Sequence, residues 1–208
     1  MDYRTIERAS TAEIIEKKSR FIAELYPVGN EEEALEILEK VKKRYWDARH
    51  HCWAFVIGNE QPLERCSDDG EPSGTAGKPI LEVIRGAQLC NVLMVVTRYF
   101  GGTLLGTGGL VRAYTSSSKE AIEAADIVVK ISGYKLKIKT DYTGLGKIQY
   151  LLAQKGIDIQ ESEYTESVGL TILVAKQEES SLIKEITEAT NAQAEVERVE
   201  ECIFSAKV

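Results

Sequence analysis

The sequence predicts an α+β protein in two units, the second on the ferredoxin-like β-α-β-β-α-β plan. Three observations carry the prediction. An apolar run from Asn91 to Val96 passes through five glycines between Gly101 and Gly109 into helical periodicity near Leu110. The order of predicted elements restarts after Gly133, and each side of that glycine has its own apolar periodicity. A chain of 208 residues at 43% hydrophobic content is long enough for one large core or two small ones. The expected units are residues 1–132 and 134–208.

In chain order, Tyr3–Ala9 and Phe21–Val28 read as two strands, separated by the charged stretch Glu13–Arg20. Residues Glu31 to Tyr45 form a helix with Ala34, Leu35, Leu38, Val41 and Tyr45 on one face; Asn30 caps it and Glu31, Glu32 and Glu33 complement its dipole. The run His50–Ile57 is a strand, so its two histidines point to opposite faces. A long loop from Cys66 to Pro79 follows, and Pro79 opens a short helix with Ile80, Leu81 and Ile84 inward. Beyond the glycine junction a helix runs from about Gly109 to Ala125, and Val128–Gly133 carries the chain across. The second unit then reads as a strand at Tyr134–Thr140, a helix at Leu145–Lys155 stopped by Gly156, strands at Ile157–Glu166 and Val168–Lys176, a helix at Glu179–Thr190 and a strand at Glu195–Ala206.

Composition excludes several classes. No apolar run approaches the roughly 20 residues of a membrane span, and Met1-Asp2-Tyr3-Arg4 lacks the apolar region of a secretion signal, so a soluble, cytoplasmic protein without a membrane partner is expected. Cys52, Cys66, Cys90 and Cys202 lie far apart without a Cys-x-x-Cys pair, which argues for reduced thiols without disulfide partners and against a zinc knuckle. The net charge of −7 rules out a general attraction to nucleic acid, so any RNA contact needs a local patch.

The glycine junction is the first candidate site. A strand, glycine loop and helix start leave backbone N–H groups and the positive end of the helix dipole available to an oxyanion, and Arg98 and Arg112 flank them. Both nucleotide fingerprints fail here. Gly106 is followed by Thr107 where a Walker loop has lysine, and the third glycine of a dinucleotide loop would fall at Val111. The junction therefore suits a phosphate-bearing ligand of unassigned identity, or the glycines serve only a tight turn.

The acidic loop is the second. Asp68, Asp69 and Glu71, followed by the small residues Ser73 to Gly77, offer either carboxylates for a cation held against a phosphate or aspartates bonded to their own backbone. His50 and His51 are the only histidines, available for a proton transfer, a phosphate contact or a structural hydrogen bond. No ligand spacing for a metal is present, and no cofactor is implied.

The motifs Asp69–Pro79 and Thr97–Tyr114, with Lys17–Phe21 and Ala48–Phe55, resemble the IMPACT family, specifically its bacterial YigZ-like branch. The resemblance spans essentially the whole chain. It implies an N-terminal domain with the fold shared by a ribosomal-protein domain, RNase PH and the GHMP kinases, and a C-terminal domain like the last domain of elongation factor G. The eukaryotic relatives regulate translation during amino-acid starvation through an added N-terminal domain, which has no counterpart here.

Two functions follow. One is a translation-associated regulatory factor that binds RNA or the ribosome through a patch of Lys17, Lys18, Arg20, Arg49, Arg98 and Arg112 beside Tyr99, Phe100 and Tyr114. The other is an enzyme acting on a phosphorylated small molecule or nucleotide, for which no nucleophile–base pair can be placed. Docking of the second unit on a protein partner is compatible with either. The residues expected to line the ligand site are Arg98, Gly101, Gly102, Gly106, Thr107, Gly108, Gly109 and Arg112, with Asp69, Glu71 and Thr75 of the acidic loop, and His50 and His51. The two loops are expected to form one cleft with a histidine at its edge.

Overall fold

A computed structural model describes residues 2–207. Its contacts divide the chain into two compact units, Tyr3–Val129 and Lys130–Ala206, the latter with Asp2. Both are α+β with antiparallel pairing in their sheets.

The first unit opens with three strands, β1 (Tyr3–Ile6), β2 (Ser10–Glu16) and β3 (Ser19–Pro27), where two were expected. The charged stretch Glu13–Arg20 is a hairpin rather than a connection. On β2, Ala12 and Ile14 pack against the core while Thr11, Glu13 and Ile15 face the other way, so an edge strand with a polar outer face resembled a linker. Lys17 and Lys18 make the two-residue turn at φ 45° and 67°, which lets Glu16 pair with Ser19.

The chain continues through α1 (Glu31–Arg44), β4 (His50–Ile57), β5 (Leu63–Ser67), α2 (Gly77–Gly86), β6 (Val92–Tyr99) and α3 (Thr107–Glu123). The sheet order is β2-β3-β6-β4-β5. Helix α1 covers one face, where Ala34, Leu38 and Val41 meet Phe55, Leu93 and Val95. Leu35, expected on the buried stripe, is exposed. Helices α2 and α3 cover the other face with Ile80, Ile84, Leu110 and Tyr114 against Phe21, Leu25, Met94 and Val96. Each fully buried side chain of this size contributes about 1.5–3 kcal/mol of apolar burial. Because helices lie on both faces, the first five residues of β6, Val92 to Val96, are an unbroken apolar run, with Leu93 and Val95 toward α1 and Met94 and Val96 toward α2 and α3.

Three boundaries differ from expectation. Cys66 and Ser67 belong to β5 and Gly77 and Lys78 to α2, so the long loop is shorter at both ends. β6 continues to Tyr99, carrying Arg98 into the sheet. α3 begins at Thr107, before two glycines whose low helix propensity hid its first turn.

The second unit contains the rest of β7 (Ile127–Thr140), then α4 (Tyr142–Gln154), β8 (Ile159–Tyr164), β9 (Val168–Ala175), α5 (Glu179–Ala189) and β10 (Glu195–Lys207). This is the expected β-α-β-β-α-β order. β9 lies between β7 and β8, and β10 pairs with β7. Strict alternation along β7 sends Leu136 and Ile138 inward against Ile148, Leu152, Leu170, Ile172, Leu182 and Ile186. Asp141 caps α4 by accepting the Gly144 N–H at 2.7 Å, and Gly156 ends the helix region at φ 66°. No helix among the described residues is long and apolar enough to cross a membrane.

Gly133 is a strand residue paired with Ala175, and a Cβ there would run into the Val174 carbonyl and the Phe204 ring. Gly133→Ala is therefore expected to destabilise the second unit by about 1–3 kcal/mol. Both tryptophans, Trp46 and Trp53, lie in the first unit. If the units unfold independently, the substitution lowers the midpoint of part of the far-UV circular dichroism transition and leaves the tryptophan-fluorescence midpoint unchanged. A common shift in both signals would show one cooperative unit.

Candidate functional site

The alternation that puts Met94 and Val96 toward α2 and α3 puts Arg98 there too, at the end of β6, where it is only 5% exposed. A buried guanidinium needs a counter-charge, and Glu71 of the acidic loop supplies it. Arg98 Nη1 donates to Glu71 Oε1 at 2.6 Å, and the Tyr114 hydroxyl of α3 donates to the same oxygen at 2.8 Å. Arg98 Nη2 reaches Ser19 Oγ at 3.4 Å, and the Gly101 N–H reaches that oxygen at 3.2 Å. The guanidinium lies 5.4 Å from the Phe21 ring centroid and 5.7 Å from that of Phe100. Its Nε is buried without a partner among the described residues. The acidic loop and the first residue of the glycine loop thus meet through Arg98.

Gly101 is also a point of close approach. A Cβ there would run into the peptide joining Lys18 to Ser19, so the β2–β3 turn and the glycine loop are in backbone contact.

Beside this network, Cys52 Sγ lies 3.0 Å from the Asp68 carbonyl oxygen and 3.3 Å from the Tyr114 hydroxyl. Burial pushes the Cys52 thiol and the Tyr114 phenol well above their ordinary values. Both stay protonated at neutral pH, and Tyr114 is tied to Glu71 and Cys52 to the Asp68 carbonyl.

The carboxylates of the acidic loop are engaged with their own surroundings. Asp68 accepts N–H groups from Gly74 (2.8 Å), Ala76 (3.0 Å) and Gly77 (2.8 Å), which fold the loop into the start of α2. Burial alone would raise its carboxyl; the N–H groups of Gly74, Gly77 and Ala76 outweigh that and hold it below the usual carboxylate range. Asp69, at φ 41°, accepts the His51 N–H at 2.6 Å. Its carbonyl lies 2.8 Å from His50 Nδ1, and since a carbonyl only accepts, Nδ1 carries the proton. By the same logic His51 Nε2 donates to the Tyr45 carbonyl at 3.1 Å. Thr75 donates its hydroxyl to the Pro72 carbonyl at 2.7 Å. Among the described residues no group of three or more His, Cys, Asp or Glu side chains is placed to hold a metal.

The far end of the glycine loop is different in kind. Gly102 and Gly106 have φ 83° and 73°, and Leu104 between them is 83% exposed. Gly106 is the N-cap of α3, with no side-chain cap and no acidic residue in the first turn, whereas Asn30 and Asp141 cap α1 and α4. Thr107 and Gly108 are exposed and Gly109 is half-buried. A cavity of about 230 Å³ adjoins this helix start, lined by Glu16, Lys17, Leu105, Gly109, Arg112 and Ser116. Arg112 is exposed, with no ion pair among the described residues.

The expected site residues therefore fall into three groups. Arg98, Glu71 and Gly101 form one network; His50, His51 and Asp69 form a cluster beside it; Gly109 and Arg112 line the cavity, while Gly106, Thr107 and Gly108 are the exposed helix start next to it. Arg98 is sealed away from that cavity, and Thr75 is committed to its own turn. The expected basic and aromatic patch is likewise reduced. Tyr114 is core, packed edge-to-face on Phe21 at 5.2 Å. Arg20 is held by Glu13 at 2.7 and 2.9 Å, and Tyr99 donates to Asp47 at 2.8 Å. Lys17, Lys18, Arg49 and Arg112 remain exposed, with Phe100 partly so. Of the two readings offered for the acidic loop, aspartates bonded to their own backbone is the one Asp68 follows. Sequence reasoning overlooked Ser19 and Tyr114 as organisers, and neither carried a local signal.

Two outcomes are expected. Because the folded Asp68 carboxyl lies below its unfolded value, its contribution to stability is complete above the unfolded pKa of about 4 and is lost as pH falls through the folded value. Asp68→Asn, followed by thermal denaturation between about pH 3 and 7, should lose stability mainly at the upper end of that range and flatten the acid-side dependence. Glu71→Ala should cost about 3–5 kcal/mol in denaturant unfolding, because it leaves Arg98 buried and unpaired. Glu71→Ala combined with Arg98→Leu should cost less than Glu71→Ala alone; equal or greater loss would show that Arg98 stabilises the fold mainly through contacts other than Glu71, such as Ser19 and the Phe21 ring.

Comparison with known proteins agrees with this architecture. The family model described as the Impact N-terminal domain matches residues 17–122, and a domain of unknown function (DUF1949) matches residues 138–193. The chain is 40% identical to the IMPACT family member YvyE of Bacillus subtilis over 198 residues, covering 95% of this chain and 91% of that protein. It is 40% identical to the IMPACT family member YigZ of Escherichia coli over 158 residues, covering 75% and 78%. A human relative, Protein IMPACT, is 35% identical over 98 residues, which is 45% of this chain and 30% of that protein. A solved structure described as a crystal structure of a hypothetical protein superposes with a TM-score of 0.62 at 32% identity, covering 96% of this chain and 98% of that one. With the bacterial relatives matched over most of their length, this chain belongs to the IMPACT family, in its YigZ-like bacterial branch.

Proposed function

We propose that the protein is a translation-associated regulatory factor of the cytoplasm that binds RNA or the ribosome through the exposed start of α3. The observation that carries this reading is the uncapped first turn of α3, with Lys17 and Arg112 lining the cavity beside it. Orphan N–H groups, the helix dipole and two cations, set against the single lining carboxylate of Glu16, leave the helix start net positive and favour a phosphate there. Lys18 and Arg49 are further exposed cations on the same unit, and Phe100 and Leu104 offer apolar surface to an unstacked base. A net charge of −7 makes the rest of the surface repel RNA, so binding would be local and sensitive to salt. The family resemblance supplies the link to translation.

The second reading, an enzyme acting on a phosphorylated small molecule or nucleotide, shares the anion step. What favours it is His50, whose Nδ1 proton is committed to the Asp69 carbonyl, which leaves Nε2 as a proton acceptor.

Titration of the protein and of Arg112→Ala with single-stranded RNA and with inorganic phosphate, at about 50 and 200 mM salt, separates these readings. RNA binding by several phosphate contacts weakens steeply with salt; Arg112→Ala should weaken it about tenfold and lower the salt slope by about one. Phosphate binding without RNA binding would favour the small-molecule reading. If neither ligand binds, or Arg112→Ala changes neither affinity, the glycines serve only the turn.

A further inference from the structure

The cavity beside the start of α3 carries a carboxylate as well as its two cations. One wall is a single helical face, with Gly109, Arg112 and Ser116, and the other is the end of β2. Strand alternation puts Ala12, Ile14 and Glu16 on the side of β2 that faces α3, and Ala12 and Ile14 pack against the core there. The third of these positions is Glu16, exposed at the end of the strand. Arg112 reaches back along the helix, and its Nη1 lies 3.7 Å from where a Cβ on Gly108 would be. A Cβ on Gly109 would lie 2.9 Å from the Leu105 Cβ, so this glycine lets Leu105 fold against the helix and join Ile14 as an apolar wall.

Glu16, Lys17 and Arg112 line one cavity, yet none of them forms an ion pair, and neither they nor Ser116 have a side-chain hydrogen bond among the described residues. An anion answers the two cations but not the carboxylate, because an ionised carboxylate only accepts hydrogen bonds and repels a second negative charge. Glu16 therefore calls for a donor next to the anion, and Ile14 and Leu105 call for carbon. A ribose with a phosphate on the carbon beside its 2′-hydroxyl presents all three. Its phosphate oxygens suit Lys17 and Arg112, the hydroxyl donates to Glu16, and the ring carbons meet the apolar wall. Size agrees: about 230 Å³ is below the roughly 300 Å³ at which pockets for whole ligands begin, so a sugar-phosphate unit enters and its base stays outside.

We infer that this cavity is a ribose-phosphate site in which Glu16 accepts the 2′-hydroxyl, so that it selects ribonucleotides over deoxyribonucleotides. The inference rests on the reading that a phosphate occupies the cavity, and it adds the sugar. An RNA strand and a free ribonucleotide carry the same unit. Glu16 acts by contrast: it weakens the binding of every phosphate by repulsion and compensates only the ligand whose hydroxyl it can accept.

The test uses the full-length protein and two labelled single strands of one sequence without uracil or thymine, one RNA and one DNA, at about 100 mM salt. Fluorescence anisotropy should show RNA binding at least about fivefold tighter than DNA. Glu16→Ala should bring the two affinities together, chiefly by tightening DNA binding, since a repelling charge is gone. Glu16→Gln keeps an acceptor without the charge and should hold part of the preference. Cytidine 3′-monophosphate and its 2′-deoxy counterpart, titrated by calorimetry, separate the sources. A ribonucleotide that binds as tightly as the RNA strand identifies a free nucleotide as the ligand, and one that binds far more weakly identifies RNA; the deoxy form should be the weaker in either case. Equal binding of RNA and DNA by the unaltered protein overturns the inference, as does a preference that Glu16→Ala leaves unchanged. If either result comes with binding that Arg112→Ala weakens, the phosphate reading survives and only the sugar assignment falls. Absence of binding by all four ligands removes both.

Discussion

The site of the first unit depends on one charge placed where charges are costly. Arg98 sits on the face of β6 that otherwise carries Met94 and Val96, and at 5% exposure it is nearly as buried as they are. Removing a guanidinium from water costs several kcal/mol unless its partners are well placed. Glu71 reaches it from the acidic loop, Ser19 from the β2–β3 turn, and Tyr114 completes the carboxylate from α3. Four separate segments thus have their positions fixed by the need to satisfy one ion pair. A hydrophobic residue in place of Arg98 would serve packing alone and would leave the loops without a common anchor.

The strained turn of Lys17 and Lys18 fits the same logic. Two lysines at positive φ cost about 1 kcal/mol or more each, where asparagine and glycine would fit more easily. The following peptide, Lys18 to Ser19, packs on Gly101 so closely that no Cβ is tolerated there, and Ser19 Oγ bonds both Arg98 and the Gly101 N–H. The turn therefore has little freedom to relax, and it brings Lys17 to the cavity beside Arg112.

What was legible in the sequence was local. α1 could be read almost to the residue, because Asn30, three glutamates and the spacing of Ala34, Leu38 and Val41 all point the same way. The second unit was legible because its strands alternate and Asp141 and Gly156 bracket α4. The hairpin of β2 and β3 was not legible, since lysines at a tight turn give no turn signal and the outer face of an edge strand resembles a loop. The roles of Arg98 and Glu71 were hidden for a different reason. They are 27 residues apart, and only the extension of β6 beyond its apolar run buries the arginine. A charged residue after an apolar run reads as the solvated end of a strand, and flanking arginines read as ligand contacts, so Arg98 was grouped with Arg112 although the fold separates them.

That separation decides what the glycine motif can do. Its two ends have opposite fates: Gly101 is locked against the hairpin, and Gly106 to Gly109 open α3 to solvent without a cap. The open end is the first turn of α3, where the Leu110 N–H bonds the Gly106 carbonyl and Leu110 and Ala113 pack in the core, so the helix itself sets the direction of its N–H groups. Under the proposed reading these preorganised donors would lose little entropy on meeting an anion, and the buried ion pair, lying outside the cavity that Arg112 lines, would leave that cavity's own cation free for it.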